Sequence, residues 1–397
     1  MSQAARVRRR SCASGRWADR SSLVTRILFL NEALLGPGMM GHGALDAAMR
    51  EALADATGVR ARFASLPPLQ GTAKRLVDDV RGLRRFDVDL QQARWHAVQS
   101  LRARRLVLEA MEDEPIDVLH VHTQAVAMAL GDIMRRIPTA LSVDCTVAQH
   151  REQEIWRPLR RHSMAALRPA LAFERRAFRD AATVMAWSGW ACDGVRAVEP
   201  TAAVTQLNPG VDLTRYRPVT ERAHRDRLRI LFVGARFTAK GGEDLVWALA
   251  PRLGRDVEID AVTRSDLPQI DGLHQHRLGP GDPRLVELHR QADIMCLPTY
   301  GDAWPFAVAE ALASGTPVVA AAIGAIPEML GHGAAGAVVT PGDRDGLRRT
   351  LNDLLDDPDR RADMGAAGRA RAEDLYDAGR QNERRLELLS QHVVRRR

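Results

Sequence analysis

The sequence is poor in lysine, in aromatic residues and in long apolar runs. Of its 57 basic residues only Lys74 and Lys240 are lysines. A position that keeps a compact ammonium in so arginine-rich a chain is therefore a candidate for a specific contact. Aromatic residues make up 5% of the chain and do not interleave with basic ones, which argues against base-stacking platforms and hence against nucleic acid as a partner.

Long apolar runs and paired cysteines are also missing. No run of about 18 apolar residues occurs, so no membrane-spanning helix is expected. A reducing cytoplasmic location fits the cysteines, because their spacing suggests neither a disulfide framework nor a structural zinc site. The four cysteines lie far apart, with no C-x-x-C pair, at Cys12, Cys145, Cys192 and Cys296.

Arginine is abundant instead, and it gives the chain a formal net charge of +7. Such a balance favours acidic partners such as phosphates, anionic lipid or nucleic acid. Residues 1–24 carry six arginines and one acid, which predicts a basic disordered arm. Together with the arginine-rich segment 155–179 and the basic C-terminus, this arm suggests reversible contact with an anionic membrane surface.

From Arg26 onward, short β-branched runs alternate with helical patterns, such as those at 45–54 and 166–178, and the alternation restarts at Arg229. This pattern predicts an α/β protein with two Rossmann-like, doubly wound domains that face each other across a cleft. The expected strands lie at 26–30, 59–66, 117–123, 139–144, 183–188, 229–234, 257–263, 292–298, 316–322 and 336–341.

Breaks in the pattern set the expected domain boundaries. The N-terminal, acceptor-side domain is placed at 25–212, a linker at 213–227 and the C-terminal, donor-binding domain at 228–378. Pro209, Gly210 and Pro218 interrupt the periodicity near the linker. Residues 379–397 are expected to form a helix and basic tail that cross back to the N-terminal domain.

A glycine loop follows the first predicted strand, and its Gly36, Gly38 and Gly41 match G-x-G-x-x-G. A dinucleotide site would also need an acid about 20 residues later, at the end of the second strand. The run 59–66 ends without one, so a dinucleotide-dependent enzyme is the weaker alternative. The glycines still permit close approach of backbone or ligand at the carboxyl end of a strand.

The second half begins with a sharper motif around Lys240. A buried strand is predicted to end at Gly234, and Arg236 and Lys240 stand before Gly241 and an amphipathic helix. Two cations beside a helix N-terminus favour an anion, and a diphosphate is the natural ligand. A solvated turn with two surface cations is the alternative interpretation.

Two acids, Asp302 and Glu310, stand eight residues apart on either side of Pro305. Asp302 is expected in a loop and Glu310 on the following helix, so that both line one cleft. Beside a diphosphate, such carboxylates would accept hydrogen bonds from neutral sugar hydroxyls. Alternatively, Asp302 caps the helix and Glu310 is a surface acid.

Two further acid pairs match a D-x-D metal signature. The first, at Asp87 and Asp89, precedes a helical pattern, and the second, at Asp357 and Asp359, is expected in a turn. Both pairs are interpreted as surface residues. No metal site is predicted from them.

Taken together, these segments resemble the family 4 glycosyltransferases over about residues 26–388. The resemblance is carried by 232–242 (FVGARFTAKGG), the acid-x7-acid element 302–310, the stretches 311–320 and 324–330, the linker sequence NPGVD at 208–212 and the tail 354–372. It implies a GT-B fold and transfer of a sugar from a nucleoside diphosphate sugar to a hydroxyl acceptor. It also implies retention of anomeric configuration, with no cofactor and no obligatory metal.

The resemblance further implies roles for individual residues. Arg236 and Lys240 would contact the donor diphosphate, Glu310 the ribose and Asp302 the donor sugar. The catalytic set is thus Arg236, Lys240, Asp302 and Asp144. Donor contacts are assigned to Gly234, Gly241, Glu310, Phe306 and Ala307, and the acceptor side to Gly36, Gly38, Gly41 and His122.

The chain departs from the family pattern at two positions. Asp302 stands where the family usually has glutamate, and Asp144 stands where many members have histidine. Asp144 would either orient the donor sugar or cap the following segment. Of the two histidines on the third strand, His120 is expected to be buried and His122 to face the cleft.

The leading hypothesis is therefore a cytoplasmic retaining glycosyltransferase, peripheral at the inner membrane. Its acceptor would be a glycan, a lipid-linked sugar or a small molecule. A non-catalytic polyanion-binding or nucleic-acid-binding protein is the alternative from another class. It would show steeply salt-dependent binding and no turnover of a donor.

Overall fold

The computed structural model describes residues 24–31, 49–51, 53, 58–84, 90–153, 163–219 and 225–394. The basic arm except for Val24, the glycine loop with Gly36, Gly38 and Gly41, and the acids Asp87 and Asp89 lie outside these residues. The described residues form two six-stranded sheets in which every strand pair is parallel. The predicted α/β architecture of two doubly wound units is confirmed.

The first six strands form the N-terminal sheet, in the order β2-β1-β3-β4-β5-β6. Its strands are β1 Thr25–Asn31, β2 Val59–Ser65, β3 Val118–His122, β4 Thr139–Val143, β5 Thr183–Ala186 and β6 Val204–Gln206. The helices in this half are α1 Gly71–Val77, α2 Arg81–Arg84, α3 Gln91–Asp113, α4 Gly131–Met134, α5 Val147–Glu152, α6 Ser163–Asp180 and α7 Gly189–Val198. The strand order reverses direction between β1 and β3.

The C-terminal sheet has the order β9-β8-β7-β10-β11-β12. Its strands are β7 Leu228–Val233, β8 Val257–Val262, β9 Leu273–His276, β10 Ile294–Leu297, β11 Val318–Ala321 and β12 Ala337–Val339. The helices are α8 Gly242–Leu249, α9 Pro283–Gln291, α10 Phe306–Ala313, α11 Ile326–Met329, α12 Arg344–Leu355, α13 Pro358–Leu375 and α14 Ala378–Val394. Here the order reverses between β7 and β10, and such a switch point is where α/β sheets bind ligands.

All ten strands expected from the sequence are present, and two further strands were missed. Both β6 and β9 lie at an edge of their sheet, and β6 has three residues and β9 four. Their sequences, VTQ and LHQH, lack the continuous apolar run of the central strands. An edge strand buries less surface, so its hydrophobic signal is weaker.

The two halves are joined by chain segments that pair with each other. The backbone N–H of Val211 donates to the carbonyl of Tyr376 over 2.7 Å, and that of Ala378 donates to the carbonyl of Val211 over 3.1 Å. Beyond this pairing, α14 packs Leu389 into the cluster that contains Ile27 of β1. The last helix therefore covers the N-terminal sheet.

Asp357 and Asp359 stand at the start of α13 and not in an isolated turn. The Asp357 carboxylate accepts the backbone N–H of Arg360 over 2.9 Å and caps the helix. This capping role explains why an acid occupies position 357. The expectation that the pair lies in a turn is corrected accordingly.

Candidate functional site

The carboxyl ends of β7 and β10 meet at the switch point of the C-terminal sheet, and the turn that carries Lys240 lies there. Gly241 has a left-handed φ of 77°, and a Cβ at this position would lie 2.0 Å from the Pro298 carbonyl oxygen. A Cβ on Gly234 would lie 2.9 Å from Cβ and Cγ of Lys240. Both glycines are therefore needed to bring the lysine stem against the end of β10.

Lys240 is bound by the loop that follows β10. Its Nζ donates to the Gly301 carbonyl over 2.8 Å and forms a short, charge-assisted contact with the Asp302 carboxylate. The two side chains are 21% and 20% exposed, so the pair remains open to solvent on one side. The sequence interpretation assigned Asp302 to neutral hydroxyls, whereas in the structure its first partner is this ammonium.

Arg236 lies in the same turn, and its side chain is exposed. Its carbonyl accepts the backbone N–H of Lys240 over 3.0 Å, which fixes the turn between them. The first turn of α8 also contains Glu243, whose carboxylate accepts the Thr238 hydroxyl over 2.6 Å. The helix end is thus less electropositive than the sequence interpretation assumed.

The second helix at the switch point, α10, begins without a side-chain cap. Pro305 occupies the cap position, and the partly buried residues Phe306 and Ala307 form the first turn. First-turn N–H groups have no partner within the helix and are available to an oxygen ligand. Asp302 does not cap this helix, which removes the alternative interpretation of that residue.

Glu310 lies in the next turn of α10, as expected, and faces the linker. Its carboxylate stands 3.3 Å from Nε2 of the buried His289. Burial, together with the nearby Glu310 carboxylate, raises the pKa of Tyr216. The Glu310 side chain is 16% exposed. It is therefore packed among these neighbours but remains partly accessible to solvent.

The described part of the facing edge of the N-terminal sheet contains a buried histidine ring at the end of β3. His122 is 3% exposed, and its ring centroid lies 5.4 Å from that of Trp187. His120 is also buried, and burial lowers its pKa to about 3. The structure therefore buries both histidines, and the expectation that His122 faces the cleft is not met.

Asp144 follows β4 and is partly buried. Its carboxylate accepts the backbone N–H of Cys145 over 2.8 Å. The helix after it is capped by Thr146 in a capping box with Gln149, so Asp144 is not the helix cap. Burial raises the pKa of the Cys145 thiol, and the Asp144 and Asp302 carboxylates add to the effect.

A buried carboxyl group supports the backbone next to Asp144. Glu174 on α6 is 2% exposed, and its Oε1 accepts the backbone N–H of Val147 and the Gln124 amide, each over 2.8 Å. The Gln124 amide also donates to the Cys145 carbonyl over 2.8 Å. Burial raises the pKa of Glu174 to about 7.

Contacts between the two halves were not foreseen from the sequence. The Glu328 carboxylate on α11 accepts the backbone N–H groups of Gly189 over 3.0 Å and of Trp190 over 3.2 Å, at the start of α7. The Gln206 amide donates to the same carboxylate over 2.7 Å. The negative charge of one half therefore caps a helix of the other.

An aromatic cluster and one amide lie at the same junction. The Trp187 ring packs edge-on against Trp304 and Phe306, with centroids 6.3 and 5.9 Å away. The Gln153 amide donates to the Asp302 carbonyl over 3.0 Å. The loop that carries Asp302 is thereby held from both halves. Over the described part of the chain, no three histidine, cysteine or acidic side chains are grouped to hold a metal ion.

These features define an α/β protein with two facing parallel sheets and a polar site at the switch point of the second, the architecture of GT-B glycosyltransferases. Residues 270–371 match the family described as Glycosyl transferases group 1. The chain thus contains a glycosyl transferases group 1 domain, and the matched range includes both Asp302 and Glu310.

Two curated relatives share about a third of their aligned residues with the chain. D-inositol 3-phosphate glycosyltransferase 2 of Catenulispora acidiphila is 33% identical over 190 residues, which cover 41% of this chain and 44% of the relative. The MMP alpha-(1->4)-mannosyltransferase of Mycolicibacterium hassiacum is 35% identical over 181 residues, covering 42% of this chain and 43% of the relative. The chain therefore spans less than half the length of these curated relatives.

Solved structures match along nearly the whole chain. Sucrose-phosphate synthase of Thermosynechococcus elongatus superposes with a TM-score of 0.71 at 17% identity, covering 92% of this chain and 98% of that one. HepE of Anabaena, solved in complex with UDP and glucose, superposes with a TM-score of 0.65 at 18% identity, covering 92% and 99%. At these identities the likeness shows the fold.

Proposed function

We propose that the protein transfers a sugar from a nucleoside diphosphate sugar to a hydroxyl acceptor, with retention of anomeric configuration. The observation that carries this proposal is the position of Lys240 at the switch point, beside the uncapped start of α10. In this arrangement Lys240 and Arg236 bind the diphosphate of the donor. Glu310 accepts hydrogen bonds from the ribose, and the first-turn N–H groups of Phe306 and Ala307 face the donor sugar.

The chemistry follows from where negative charge develops. As the bond between the anomeric carbon and the diphosphate oxygen breaks, charge grows on the departing diphosphate. The Lys240 ammonium, already desolvated on one side by Gly301 and Asp302, neutralises it. The acceptor oxygen forms the new bond to the anomeric carbon, and its proton leaves with the diphosphate or solvent. No cofactor or obligatory metal enters this proposal.

The names of the relatives support a sugar nucleotide as donor and a hydroxyl compound as acceptor. HepE was solved with UDP and glucose, and the two curated relatives are named as a glycosyltransferase and a mannosyltransferase. In our proposal the N-terminal sheet edge around His122 and Asp144 accommodates the acceptor. A role of Asp144 in orienting the donor sugar is part of the same proposal.

A ligand screen followed by product analysis tests the proposed reaction. Sugars linked to UDP, GDP, ADP and TDP are added to the protein, and a specific donor should raise the melting temperature by mass action. With that donor and an acceptor, NMR of the product should show the donor's anomeric configuration, and turnover should survive EDTA. An inverted product or loss of activity on chelation would contradict the proposal.

We further propose that the protein works in the cytoplasm and contacts the inner membrane reversibly. In the described part of the arginine-rich segment, Arg175 and Arg179 of α6 pair with Glu199 at 3.1 and 2.9 Å, and more than half of each arginine side chain remains exposed. Exposed apolar side chains are a second candidate for the contact, at Leu76, Val80, Leu83 and Leu90. No helix among the described residues is long and apolar enough to cross a membrane.

Sedimentation with lipid vesicles tests the membrane contact. Vesicles that contain phosphatidylglycerol should pellet the wild-type protein, and Leu83→Asp should reduce the pelleted fraction because a charge is added to the contact. Ile270→Asp is the matched control, since Ile270 is another exposed apolar residue, 39% accessible, in the C-terminal half. Equal pelleting on neutral and anionic vesicles would refute the contact.

A further inference from the structure

The loop that carries Asp302 is attached to the first turn of α8 by a second polar contact next to the pair with Lys240. The Tyr300 hydroxyl donates to Oδ2 of Asp244 in a short hydrogen bond. Asp244 is 3% exposed and stands in the first turn of α8, four residues after Lys240. Tyr300 stands two residues before Asp302, so this contact and the Lys240–Asp302 pair join the same two segments.

The buried charge of Asp244 has its own counterion. Nε of Arg344 donates to Oδ1 of Asp244 over 2.6 Å, so each carboxylate oxygen has a donor. An unpaired buried carboxylate would be costly, whereas a doubly bonded one holds its neighbours in fixed positions. The arrangement ties the start of α12 to α8 and leaves the Tyr300 hydroxyl with one well-defined acceptor.

Further hydrogen bonds to backbone groups restrain the position of the same loop, residues 299–302. The backbone N–H of Tyr300 donates to the Ala239 carbonyl over 3.3 Å. The Thr299 hydroxyl donates to the Gly301 carbonyl over 3.1 Å, and this carbonyl is also the acceptor for Nζ of Lys240. The position of Nζ therefore depends on where residues 299–302 lie, and Tyr300 is the side chain that anchors them to α8.

We propose that Tyr300 and Asp244 are positioning residues, which hold the 299–302 loop so that Lys240 and Asp302 stay paired at the switch point before a donor arrives. The proposal rests on the proposed function for its purpose. Neither residue touches the reacting atoms. Their effect is to place an ammonium in advance, which reduces the cost of ordering that side chain when an anion binds.

The scarcity of lysine makes the proposal directly measurable. Protein labelled with 13C-lysine carries two labelled side chains, Lys74 and Lys240, and Lys74→Arg identifies the signal of Lys240. In Tyr300→Phe, the Lys240 Cε and Hε signals should move toward the positions of an unrestrained lysine, whereas the Lys74 signals should stay in place. Tyr376→Phe is the matched control, because it removes a hydroxyl from another tyrosine of the same half.

A double-mutant cycle separates positioning from general loss of structure. If Tyr300 acts through the ion pair, Tyr300→Phe should cause little further shift of the Lys240 signals once Asp302→Asn has broken the pair. Asp244→Asn should shift the Lys240 signals in the same direction as Tyr300→Phe. Wild-type positions of the Lys240 signals in both Tyr300→Phe and Asp244→Asn would overturn the proposal.

Adding UDP distinguishes this inference from the proposed function. In the wild type, UDP should move the Lys240 signals, and Tyr300→Phe should weaken the apparent affinity for UDP by about three- to tenfold. If none of UDP, GDP, ADP and TDP moves the Lys240 signals, the proposed donor site is wrong, but the shift caused by Tyr300→Phe alone still tests the positioning role. An unchanged UDP affinity in Tyr300→Phe would contradict the claimed benefit to binding.

Discussion

The two sheets present different chemistry at the edges that face each other. At the C-terminal sheet the edge carries paired charges, Lys240 with Asp302 and Asp244 with Arg344. At the N-terminal sheet the edge is built around the buried rings of His122 and Trp187.

The difference indicates that the two sheets, although alike in fold, bind different kinds of ligand. Both sheets are parallel and both reverse their strand order once, so the fold alone offers two switch points. Only the C-terminal one, among the described residues, brings a lysine and two uncapped helix starts together. An anionic ligand is therefore expected on that side and a neutral or hydroxylic one opposite.

The largest expected effect concerns the buried carboxyl of the N-terminal half. Glu174 has its pKa raised from 4.5 to about 7, so between these pH values the folded state binds a proton that the unfolded state has lost. Stability from this group is present below about pH 4 and is lost as the pH rises to about 7. The loss is on the order of 3 kcal/mol.

Glu174→Gln should remove this pH dependence, since an amide does not ionise. Urea unfolding from pH 4.5 to 7.5 measures the effect, with Glu109→Gln on the exposed face of α3 as the control. If wild type and Glu174→Gln show the same pH slope, the N-terminal edge is not held by a neutral carboxyl group.

The second prediction tests the charged edge. Lys240→Ala should lower turnover by about a hundredfold, because one electrostatic contact to the departing diphosphate is lost. Lys240→Arg should restore only part of it, since a planar guanidinium does not fit the place of a compact ammonium. Lys74→Ala, the same change at the exposed lysine of α1, should be silent in a steady-state assay. Wild-type turnover in Lys240→Ala would place the active site elsewhere.

The third prediction concerns the contact that joins the two edges. Glu328→Gln removes the charge that caps α7 from the opposite half and should lower the free energy of unfolding by about 1 kcal/mol. Small-angle scattering should show a larger radius of gyration, because the two halves lose a shared anchor. Glu287→Gln, at an exposed acid paired with Arg290, is the control. An unchanged scattering profile in Glu328→Gln would show that the capping contact does not fix the two halves.

The smallest structural effect is expected for Asp302→Glu. One added methylene at a partly exposed site should change stability by no more than about 0.5 kcal/mol. The donor sugar preference should change by about tenfold, because the carboxylate that accepts hydrogen bonds from the sugar hydroxyls is displaced by one methylene. Competition between two sugar nucleotides measures this ratio. A stable variant with an unaltered preference would leave Asp302 as a partner of Lys240 only.

Much of the C-terminal edge could be predicted from local patterns. Local sequence signals predicted the backbone here: a strand that ends at Gly234, a turn at Gly241 after Lys240, and a helix that begins after Pro305. The pairing of Lys240 with Asp302 could not be predicted, because it joins residues 62 positions apart whose distance depends on strand order. From the sequence, Asp302 was expected to accept hydrogen bonds from neutral sugar hydroxyls. In the structure it pairs with the Lys240 ammonium instead.

The N-terminal edge was harder to predict for a related reason. His122 stands at the end of an apolar strand, where the alternation of side chains allows either burial or exposure. The ring of Trp187, which follows β5, packs near the His122 ring, and His122 is buried. Glu328 and Gln153 act across the two halves, and no sequence period reports such contacts. The strands β6 and β9 are short and polar, so the apolar signal that revealed the central strands was absent.

Calorimetric titration of UDP and GDP into three proteins tests the division between the two edges most directly. The proteins are the wild type, Lys240→Ala at the charged edge and Asp144→Asn at the facing edge. We predict that one nucleotide binds the wild type, that Lys240→Ala weakens this binding by at least about tenfold, and that Asp144→Asn changes it by less than about twofold. Equal losses in both variants, or none in Lys240→Ala, would contradict the account.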